Sequence, residues 1–416
     1  MTEQAYYKPL GGTLFTRGFF VLLFFTIIGF SLIAVRFWKG IGAVSNMTDV
    51  FPLGIWITYD VATGTALACG GYAIALLVYI LNDWHYHSLM RSAILLSFFG
   101  YILAGFSVIT DLGRYWNVYN IFMPSRWQFN SALLEVALCI MTYCLVLFIE
   151  FLPVILEWLR GLGWGRVSEL ADRFSPKLDR VLIFFIVLGM TLPTMHQSSL
   201  GSLFLIATSK VHPIWHTMHL PLFFLLNCLF LGYGVVVLES TLSSYIFDRE
   251  YEVRVLAGLA GAGAWIAVVW LVLRIADLAW RGRLGMAFAG GDRYSLSFLV
   301  EFLLIGAGAY CLFKPKLHSA RWLFISGMLL IVGGGLYRFN VYLIGFNWTH
   351  HWKYFPALPE FLITVGIVAF KFLAYFVLIK ILPVLPAKHE PHLAGSPDWS
   401  SLMQSKIKSS SNWHLP

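Results

Sequence analysis

Ten apolar stretches, each about as long as a membrane-spanning helix, limit what this chain can fold into more than any other feature. A helix needs roughly 20 consecutive apolar residues to cross the hydrocarbon of a membrane. The charged fraction is 12%, whereas soluble domains carry about 25%. The sequence therefore predicts an all-α integral membrane protein with ten spans, at approximately 18–37, 52–81, 91–112, 130–157, 181–206, 219–246, 254–280, 294–313, 321–345 and 359–383.

The membrane domain is expected to cover residues 1–386. The first apolar run is interpreted as a retained span, because no small-residue cleavage site precedes a short apolar core at the N-terminus. Residues 387–416 are polar, so we expect them to form a flexible C-terminal tail.

The 29 Lys and Arg residues indicate how the chain is oriented. If the N-terminus lies in the cytoplasm, most of them fall in loops on that side, which is the distribution that membrane insertion favours. Both termini are therefore expected in the cytoplasm. The net charge of +8 is spread along the loops, where it suits anionic lipid rather than nucleic acid.

The five cysteines all fall inside apolar runs, where a thiol most often acts as a small packing residue. None of them forms a CxxC pair. The sequence therefore argues against disulfides and against an iron–sulfur or zinc site. A metal cluster at His212, His216 and His219 stays an alternative to their preferred interpretation as interface residues.

The polar stretch TLPTMHQSS at 191–199 interrupts the apolar run 181–206. Ionisable residues deep in a membrane are rare unless they have a function. The orientation puts His196 in the outer part of its span, at a depth similar to that of Asp60 and Asp111. A quinone head group needs hydrogen-bond donors and a proton source, which a His near an Asp and a Tyr supplies. The alternative is a Pro-kinked helix whose polar groups are satisfied locally.

Three span carboxyls suggest a proton relay. Glu135 and Glu150 share one predicted helix, where fifteen residues place them about 22 Å apart along the axis and within about 60° of one face. Glu239 lies toward the inner end of another span. A buried carboxyl without a cation nearby in sequence suits proton transfer, although a structural ion pair or a head-group contact is the alternative. For Arg274 and Asp277, an i, i+3 pair, the structural ion pair is preferred.

The histidines do not suggest haem. A membrane b-type haem needs two axial histidines that face each other across helices, and among the 12 histidines His196 alone sits clearly inside a span. His212, His216 and His219 have helical spacing, but they fall in a loop and at the start of a span. No haem is therefore expected.

Four loops on the outer side are rich in aromatic, Arg, His, Gly and Pro residues, and they cover 111–130, 208–219, 281–295 and 346–359. Such residues are enriched at protein contacts. The loops therefore predict a platform on which a partner docks. The alternative is an interfacial aromatic belt.

Four strings together carry a family resemblance: FPLGIWITYDVATGTALACGGYA, ITDLGRYWN, LPTMHQSSLGSL followed by KVHPIWH, and LRIADLAWRGRLGMAFAGG. With them the chain resembles the HybB-type membrane subunit of respiratory nickel–iron uptake hydrogenases. That subunit belongs to the wider NrfD/polysulfide reductase membrane-anchor family. The resemblance runs from about Pro9 to Pro386.

The resemblance implies a haem-free helical anchor in the bacterial inner membrane. Two four-helix bundles, at roughly 52–206 and 219–345, would be flanked by the helices at 18–37 and 359–383. A menaquinone-type site would lie near the outer face. Electrons would arrive from a ferredoxin-like iron–sulfur subunit on the periplasmic side, which takes them from the large and small hydrogenase subunits.

Carried onto matching positions, the resemblance implies quinone-site roles for His196, Asp60 and Tyr101. Asp111 and Arg114 join this prediction because of their depth. The resemblance also implies a proton route through Glu135, Glu150 and Glu239.

Three other functions stay open at this point. The chain could anchor a different donor, such as a polysulfide, formate or cytochrome-linked enzyme. It could be a proton-coupled transporter or channel. It could also be a passive assembly anchor whose carboxyls are structural. In the favoured interpretation it is one subunit of a larger oxidoreductase and has no metal centre of its own.

Overall fold

The fold is taken from a computed structural model that describes residues 7–207, 209–249, 252–314, 319–348 and 354–386, apart from the side chain at 167. The predicted flexible tail, 387–416, lies outside the described residues.

Within these ranges, ten helices are long and apolar enough to cross a membrane, as the apolar runs predict. They are α1 (Arg17–Lys39), α2 (Trp56–Ile80), α3 (Trp84–Asp111), α4 (Ala132–Gly161), α5 (Gly165–Ser202), α6 (Leu220–Ile246), α7 (Val253–Trp280), α8 (Arg293–Phe313), α9 (Ala320–Ile344) and α10 (Leu358–Ile381). The described β-structure consists of isolated bridges. The prediction of an all-α membrane fold is confirmed.

The two described chain ends meet on one face, where Tyr7 pairs with Pro386. We call this the terminal face, and the opposite one, which carries the described loop residues 112–131, 203–207, 209–219, 281–292, 345–348 and 354–357, the loop face. Short helical turns build part of the loop face, at Tyr115–Phe122, Pro124–Arg126 and Leu284–Phe288.

Helix α5 begins earlier than its apolar run predicts. It has 38 residues, which at 1.5 Å per residue is about 57 Å and far exceeds a hydrocarbon thickness of about 30 Å. Its first part, 165–180, is amphipathic and packs through Ala171 and Leu178 against Leu156 of α4. A search for apolar runs detects the membrane-spanning part of α5 and misses the amphipathic part at 165–180.

Helix packing joins neighbours in two groups. In each group, helices that follow one another in sequence are in contact: α2 to α5 in the first group and α6 to α9 in the second. Helices α1 and α10 pack against each other and contact α2 and α3. The α1–α10 crossing is tight, because a Cβ on Gly29 would lie 2.6 Å from the Cα of Gly366. The bundle limits at 52–206 and 219–345 stay a prediction.

The middle of the molecule is formed by α2 and α6, whose most apolar windows are 78% and 72% buried, whereas that of α1 is 11% buried. They approach closely at Gly232, where a Cβ would lie 2.7 Å from the Cys69 carbonyl oxygen. Small residues permit this approach in a membrane, where close van der Waals contact holds helices together.

Helix α2 is irregular along its length. Its first part, Trp56–Thr63, is a π-helix, and the α-helical turns Gly64–Leu67 and Gly70–Ala75 follow with a break between them. π-Helical turns are rare and often occur at functional sites. The irregular part carries Asp60, and Thr65 and Cys69 follow it.

Candidate functional site

The central feature of the site is a hydrogen-bond network around His196 on α5. The Tyr101 hydroxyl of α3 lies 2.9 Å from His196 Nε2. The Gln197 amide nitrogen lies 3.1 Å from the same ring nitrogen and donates to the Thr65 hydroxyl of α2 at 2.9 Å. His196, Gln197, Tyr101 and Thr65 are all fully buried. Three helices therefore meet through polar groups in an apolar interior.

The hydrogen bonds define the tautomer of His196. Its Nδ1 lies 2.9 Å from the Leu192 carbonyl oxygen, one helical turn earlier. A carbonyl can only accept, so Nδ1 carries the proton and Nε2 accepts from Tyr101. The imidazole is thus held by a backbone acceptor on one side and a phenol on the other.

One polar atom of this network has no partner. The side-chain oxygen of Gln197 is buried and accepts no hydrogen bond among the described residues. Buried polar atoms are nearly always paired, so an unpaired one calls for an explanation. An amide oxygen held in this way can accept a hydrogen bond from a ligand hydroxyl.

Two further residues extend the network. Cys69 Sγ lies 3.2 Å from the Tyr101 hydroxyl, and the Tyr143 ring of α4 meets the Tyr101 ring edge-on at 4.6 Å between centroids. The sequence pattern assigns Cys69 to packing and does not single out Thr65 or Tyr143. The small-residue stretch around Cys69 was the available signal, because it marks where helices come closest.

Asp60 lies in a different contact. Its carboxylate accepts from the Thr364 hydroxyl of α10 at 3.3 Å, and it is buried. None of the described hydrogen bonds joins it to His196. Asp60 therefore faces the flanking helix α10. Of the three residues that the resemblance assigns to a quinone site, the structure brings Tyr101 and His196 into contact and leaves Asp60 apart from them.

Asp111 and Arg114 are one turn apart but are not paired. Asp111 is half-buried with Arg36 of α1 as its nearest cation, whereas Arg114 is exposed. Arg36 is fully buried and donates through Nε to the Thr110 carbonyl oxygen at 2.5 Å. The charge beside Asp111 thus comes from a residue that the sequence analysis did not single out.

Glu135 and Glu150 lie on α4 with Tyr143 between them. Glu135 is half-buried in the first turn, near the loop face. Glu150 packs closely against Gly189 of α5. A Cβ atom added to Gly189 would lie 2.3 Å from Glu150 Oε1. Tyr143 separates the two by eight and seven residues, which keeps all three within about 80° of one helix face.

Glu239 joins α6 to two other helices. The Tyr375 hydroxyl of α10 donates to its Oε1 at 2.5 Å, and the Ser92 hydroxyl of α3 donates to its Oε2 at 3.3 Å. It also lines a polar cleft on the terminal face. Glu239 and Glu150 therefore lie on different helices and have different neighbours.

A second polar cluster surrounds Asp277 at the loop-face end of α7. Arg281 Nη2 lies 2.6 Å from Asp277 Oδ2, and Arg274 Nη1 lies 3.7 Å from the same oxygen. The Asp277 Oδ1 contacts Thr217 and His219 at 2.5 and 3.0 Å. The predicted structural ion pair is present, and Arg281 is its closer partner.

This cluster holds the loop after α5 in place. Arg281 Nη1 donates to the carbonyl oxygens of Pro213 and His216 at 2.6 and 2.9 Å. His212 in the same loop stacks on Tyr294 at 4.3 Å, and burial lowers the pKa of its imidazole to about 4.

Several large apolar side chains are exposed on the loop face between α3 and α4. They are Trp116, Tyr119, Phe122, Met123 and Phe129. Exposed aromatic groups of this kind are typical of protein contact sites.

Comparison with curated proteins finds three relevant relatives. The chain is 39% identical over 383 residues to the probable Ni/Fe-hydrogenase 2 b-type cytochrome subunit of Escherichia coli K12, which covers 91% of this chain and 95% of the relative. It is 31% identical over 387 residues to the integral membrane subunit of menaquinone reductase of Nitratidesulfovibrio vulgaris Hildenborough, covering 85% and 87%. A further protein of that organism is 33% identical over 384 residues, covering 90% and 95%. No family model matches.

The first of these names corrects the sequence analysis. A b-type cytochrome carries haem, so the name contradicts the prediction that this chain has none. That prediction is withdrawn. Both ring nitrogens of His196 are engaged in hydrogen bonds, and the other described histidines lie at the terminal-face end of α3 or between α5 and α6. The described residues therefore do not fit a haem held by two histidines across helices.

Proposed function

Since this chain belongs to the HybB-type branch of the NrfD/polysulfide reductase membrane-subunit family, we propose that it passes electrons from a hydrogenase complex to a menaquinone-type quinone. The observation that carries the proposal is the buried His196 network with its unpaired Gln197 oxygen. A quinone has two carbonyl acceptors and a quinol has two hydroxyl donors. An amide offers a donor to the first and an acceptor to the second.

The chemistry of the reaction assigns roles to this network. Reduction adds two electrons and two protons, and each carbonyl oxygen becomes a hydroxyl. Tyr101 and His196 form a hydrogen-bonded pair from which a proton can be delivered, because proton transfer needs a donor within hydrogen-bond reach. Gln197 orients the head group from the neighbouring position. Every member of the network is buried, so a head group reaches it between α2, α3 and α5.

Glu135, Glu150 and Glu239 are proposed to resupply the protons that quinone reduction consumes. From the network, Tyr143 leads along one face of α4 to Glu150 and in the other direction to Glu135. Glu239 forms a second route, through Tyr375 and the cleft on the terminal face. Asp60, with Thr364, and Asp111, with Arg36, lie nearer the loop face. Their proposed role is to set the polarity of the path that a head group takes.

The loop face is proposed to lie in the periplasm of a bacterial inner membrane, with both termini in the cytoplasm. The meeting of Tyr7 and Pro386 on one face supports termini on a common side. A ferredoxin-like iron–sulfur subunit would then dock on the exposed aromatic side chains after α3, between this chain and the large and small subunits of a nickel–iron hydrogenase.

The test uses the purified complex with menadione, a naphthoquinone, as acceptor. His196→Ala should abolish hydrogen-dependent menadione reduction, while reduction of a viologen dye by hydrogen continues. Asp60→Asn should lower menadione reduction by a smaller factor, because Asp60 lies on the proposed path and outside the His196 network. Dye reduction serves as the control because it bypasses the membrane subunit. Unchanged menadione turnover in both variants would overturn the site assignment.

A further inference from the structure

A polar cleft opens on the terminal face between α3, α6 and the C-terminal segment. Most of its lining residues carry hydroxyl or charged side chains, among them Ser92, Glu239, Ser240 and Arg249, and Leu89, Leu385 and Pro386 add apolar surface. Such a lining is unusual beside membrane helices, since polar groups there need partners or water. The cleft therefore suits water rather than lipid or an apolar ligand.

Glu239 stands where the cleft ends and the protein interior begins. Its Oε2 accepts from Ser92, which also lines the cleft, and its Oε1 accepts from Tyr375 on α10, which does not. The two oxygens of one carboxylate thus face two environments. A group of this kind can take a proton from water on one side and release it to a phenol on the other.

Arg249 and Pro386 form part of the rim of the cleft. Arg249 Nη2 donates to the Pro386 carbonyl oxygen at 2.6 Å, and Arg91 Nη1 donates to the Pro383 carbonyl oxygen at 2.9 Å. Pro386 in turn pairs with Tyr7. The two arginines hold the same segment, but only Arg249 lines the cleft.

Arg249 also interacts electrostatically with Glu239. Burial lowers the pKa of its guanidinium, and the Glu239 carboxylate opposes that shift. The other charged group at the cleft is Glu252, which accepts from Ser88 at 3.0 Å. Arg249 is thus the cation that faces Glu239 from the rim.

We propose that this cleft is the aqueous mouth through which Glu239 exchanges protons with the compartment on the terminal face, and that Arg249 is a positioning residue at its rim. The inference rests on the proposed function, because it concerns the protons that quinone reduction consumes. It adds the place where they enter and the residues that keep that place open.

The test places a thiol in the cleft of the intact complex. Ser240→Cys is treated with a membrane-impermeant, positively charged methanethiosulfonate reagent in vesicles of known orientation. We expect labelling only from the terminal face, followed by an at least tenfold loss of hydrogen-dependent menadione reduction, because a blocked proton relay costs about 10²–10⁴ in rate. Viologen reduction should not change. Ser88→Cys is the second position if Ser240→Cys does not assemble.

Two controls separate the cleft from its surroundings. Ser319→Cys is an exposed position on the same face and outside the cleft, so it should be labelled without loss of turnover. The treated wild type reports any effect on native thiols. Labelling of the cleft cysteine that leaves menadione turnover unchanged would overturn the proposal, and so would no labelling from the terminal face at either cleft position.

Two comparisons test whether Arg249 acts through its positive charge or through its hydrogen bond to the segment that contains Pro386. Arg249→Lys keeps a cation and should restore most of the turnover that Arg249→Met loses. Arg91→Gln removes a second bond to the segment 383–386, together with the Arg91–Glu157 ion pair at 2.8 Å outside the cleft, and should cost less turnover than Arg249→Met. Equal losses in Arg249→Met and Arg91→Gln would show that the segment matters and the cation does not. The proposed function itself fails in a different way, when the untreated wild type reduces viologen but not menadione.

Discussion

Two buried polar clusters lie in the half of the molecule near the loop face, and they are built differently. Around Asp277 the partners are charged: Arg281 lies at 2.6 Å and Arg274 at 3.7 Å, and Arg281 also binds carbonyl oxygens of the loop after α5. Around His196 the partners are neutral, namely Tyr101, Gln197 and Thr65. The first cluster connects α7 to a loop, whereas the second connects three helices.

The difference indicates which cluster is suited to a ligand. A matched buried ion pair is costly to break and leaves its acceptor saturated. The His196 network keeps one buried acceptor unpaired, at Gln197. A group can bind there without first separating two charges. We therefore interpret the Asp277 cluster as structural and the His196 cluster as reactive.

Among the variants that keep His196, the largest expected effect is that of Tyr101→Phe, which removes the hydroxyl next to His196 Nε2. We expect menadione turnover to fall about 100-fold, since general acid catalysis contributes about 10²–10⁴, while the viologen rate stays unchanged. The matched control is Tyr342→Phe, which removes a buried hydroxyl bonded to the Leu200 carbonyl oxygen. Equal rates in the two variants would remove Tyr101 from the reaction.

Glu239→Gln extends the comparison of the Asp277 and His196 clusters to a carboxyl that accepts its described hydrogen bonds from hydroxyls rather than from arginine. We expect menadione turnover to fall about tenfold, because the amide retains hydrogen bonds but cannot carry a proton. Glu135→Gln should have a smaller effect, since it lies near the loop face, away from the cleft. Measurement of proton uptake in vesicles with and without a membrane potential checks both variants. Unchanged coupling would exclude them from the path.

The sequence predicted the membrane spans but not the contacts between helices. The spans were predictable because membrane thickness fixes the length of an apolar run. The resemblance assigned Tyr101, His196 and Asp60 to one site, but the contact between Tyr101 and His196, which are 95 positions apart, was not predicted. The bond between Gln197 and Thr65 joins residues 132 positions apart, and that between Thr364 and Asp60 spans 304 positions. No local pattern predicts such contacts, because they depend on which helix faces which.

Asp111 shows why neighbouring charges mislead. Arg114, one turn away in sequence, is exposed, while Arg36 from another helix lies beside the carboxylate. An i, i+3 spacing indicates a pair only while the helix continues, and α3 ends at Asp111. The start of α5 was missed for a related reason, because amphipathic turns outside the hydrocarbon carry no apolar run.

Asp277→Asn tests the structural side of the comparison. We expect a loss of about 3 kcal/mol in stability, because Arg281 and the buried Arg274 both lose the carboxylate that they face. The remaining folded complex should show an unchanged KM for menadione. Thermal unfolding of the purified complex checks the first point, with Asp292→Asn on the exposed loop as control. A raised KM with normal stability would contradict the assignment.

The smallest expected effect concerns pH and the loop that Arg281 holds. Because burial lowers the pKa of His212 to about 4 from an ordinary 6.5, the unfolded chain binds this proton first as the pH falls. The stability contributed by neutral His212 is therefore complete above pH 6.5 and is lost between pH 6.5 and 4. Thermal unfolding across that range should show the loss, and His212→Gln should reduce it. An equal slope in wild type and variant would assign the effect to other groups.

The central claim, that a quinone binds at the His196 network, is tested most directly by photolabelling. An azido-naphthoquinone is illuminated with the purified complex, and the adducts are mapped by mass spectrometry with and without excess menadione. The account predicts displaceable adducts on α5 around His196 or on α2 around Thr65. Displaceable adducts confined to α7 and α8 around Asp277 would contradict it.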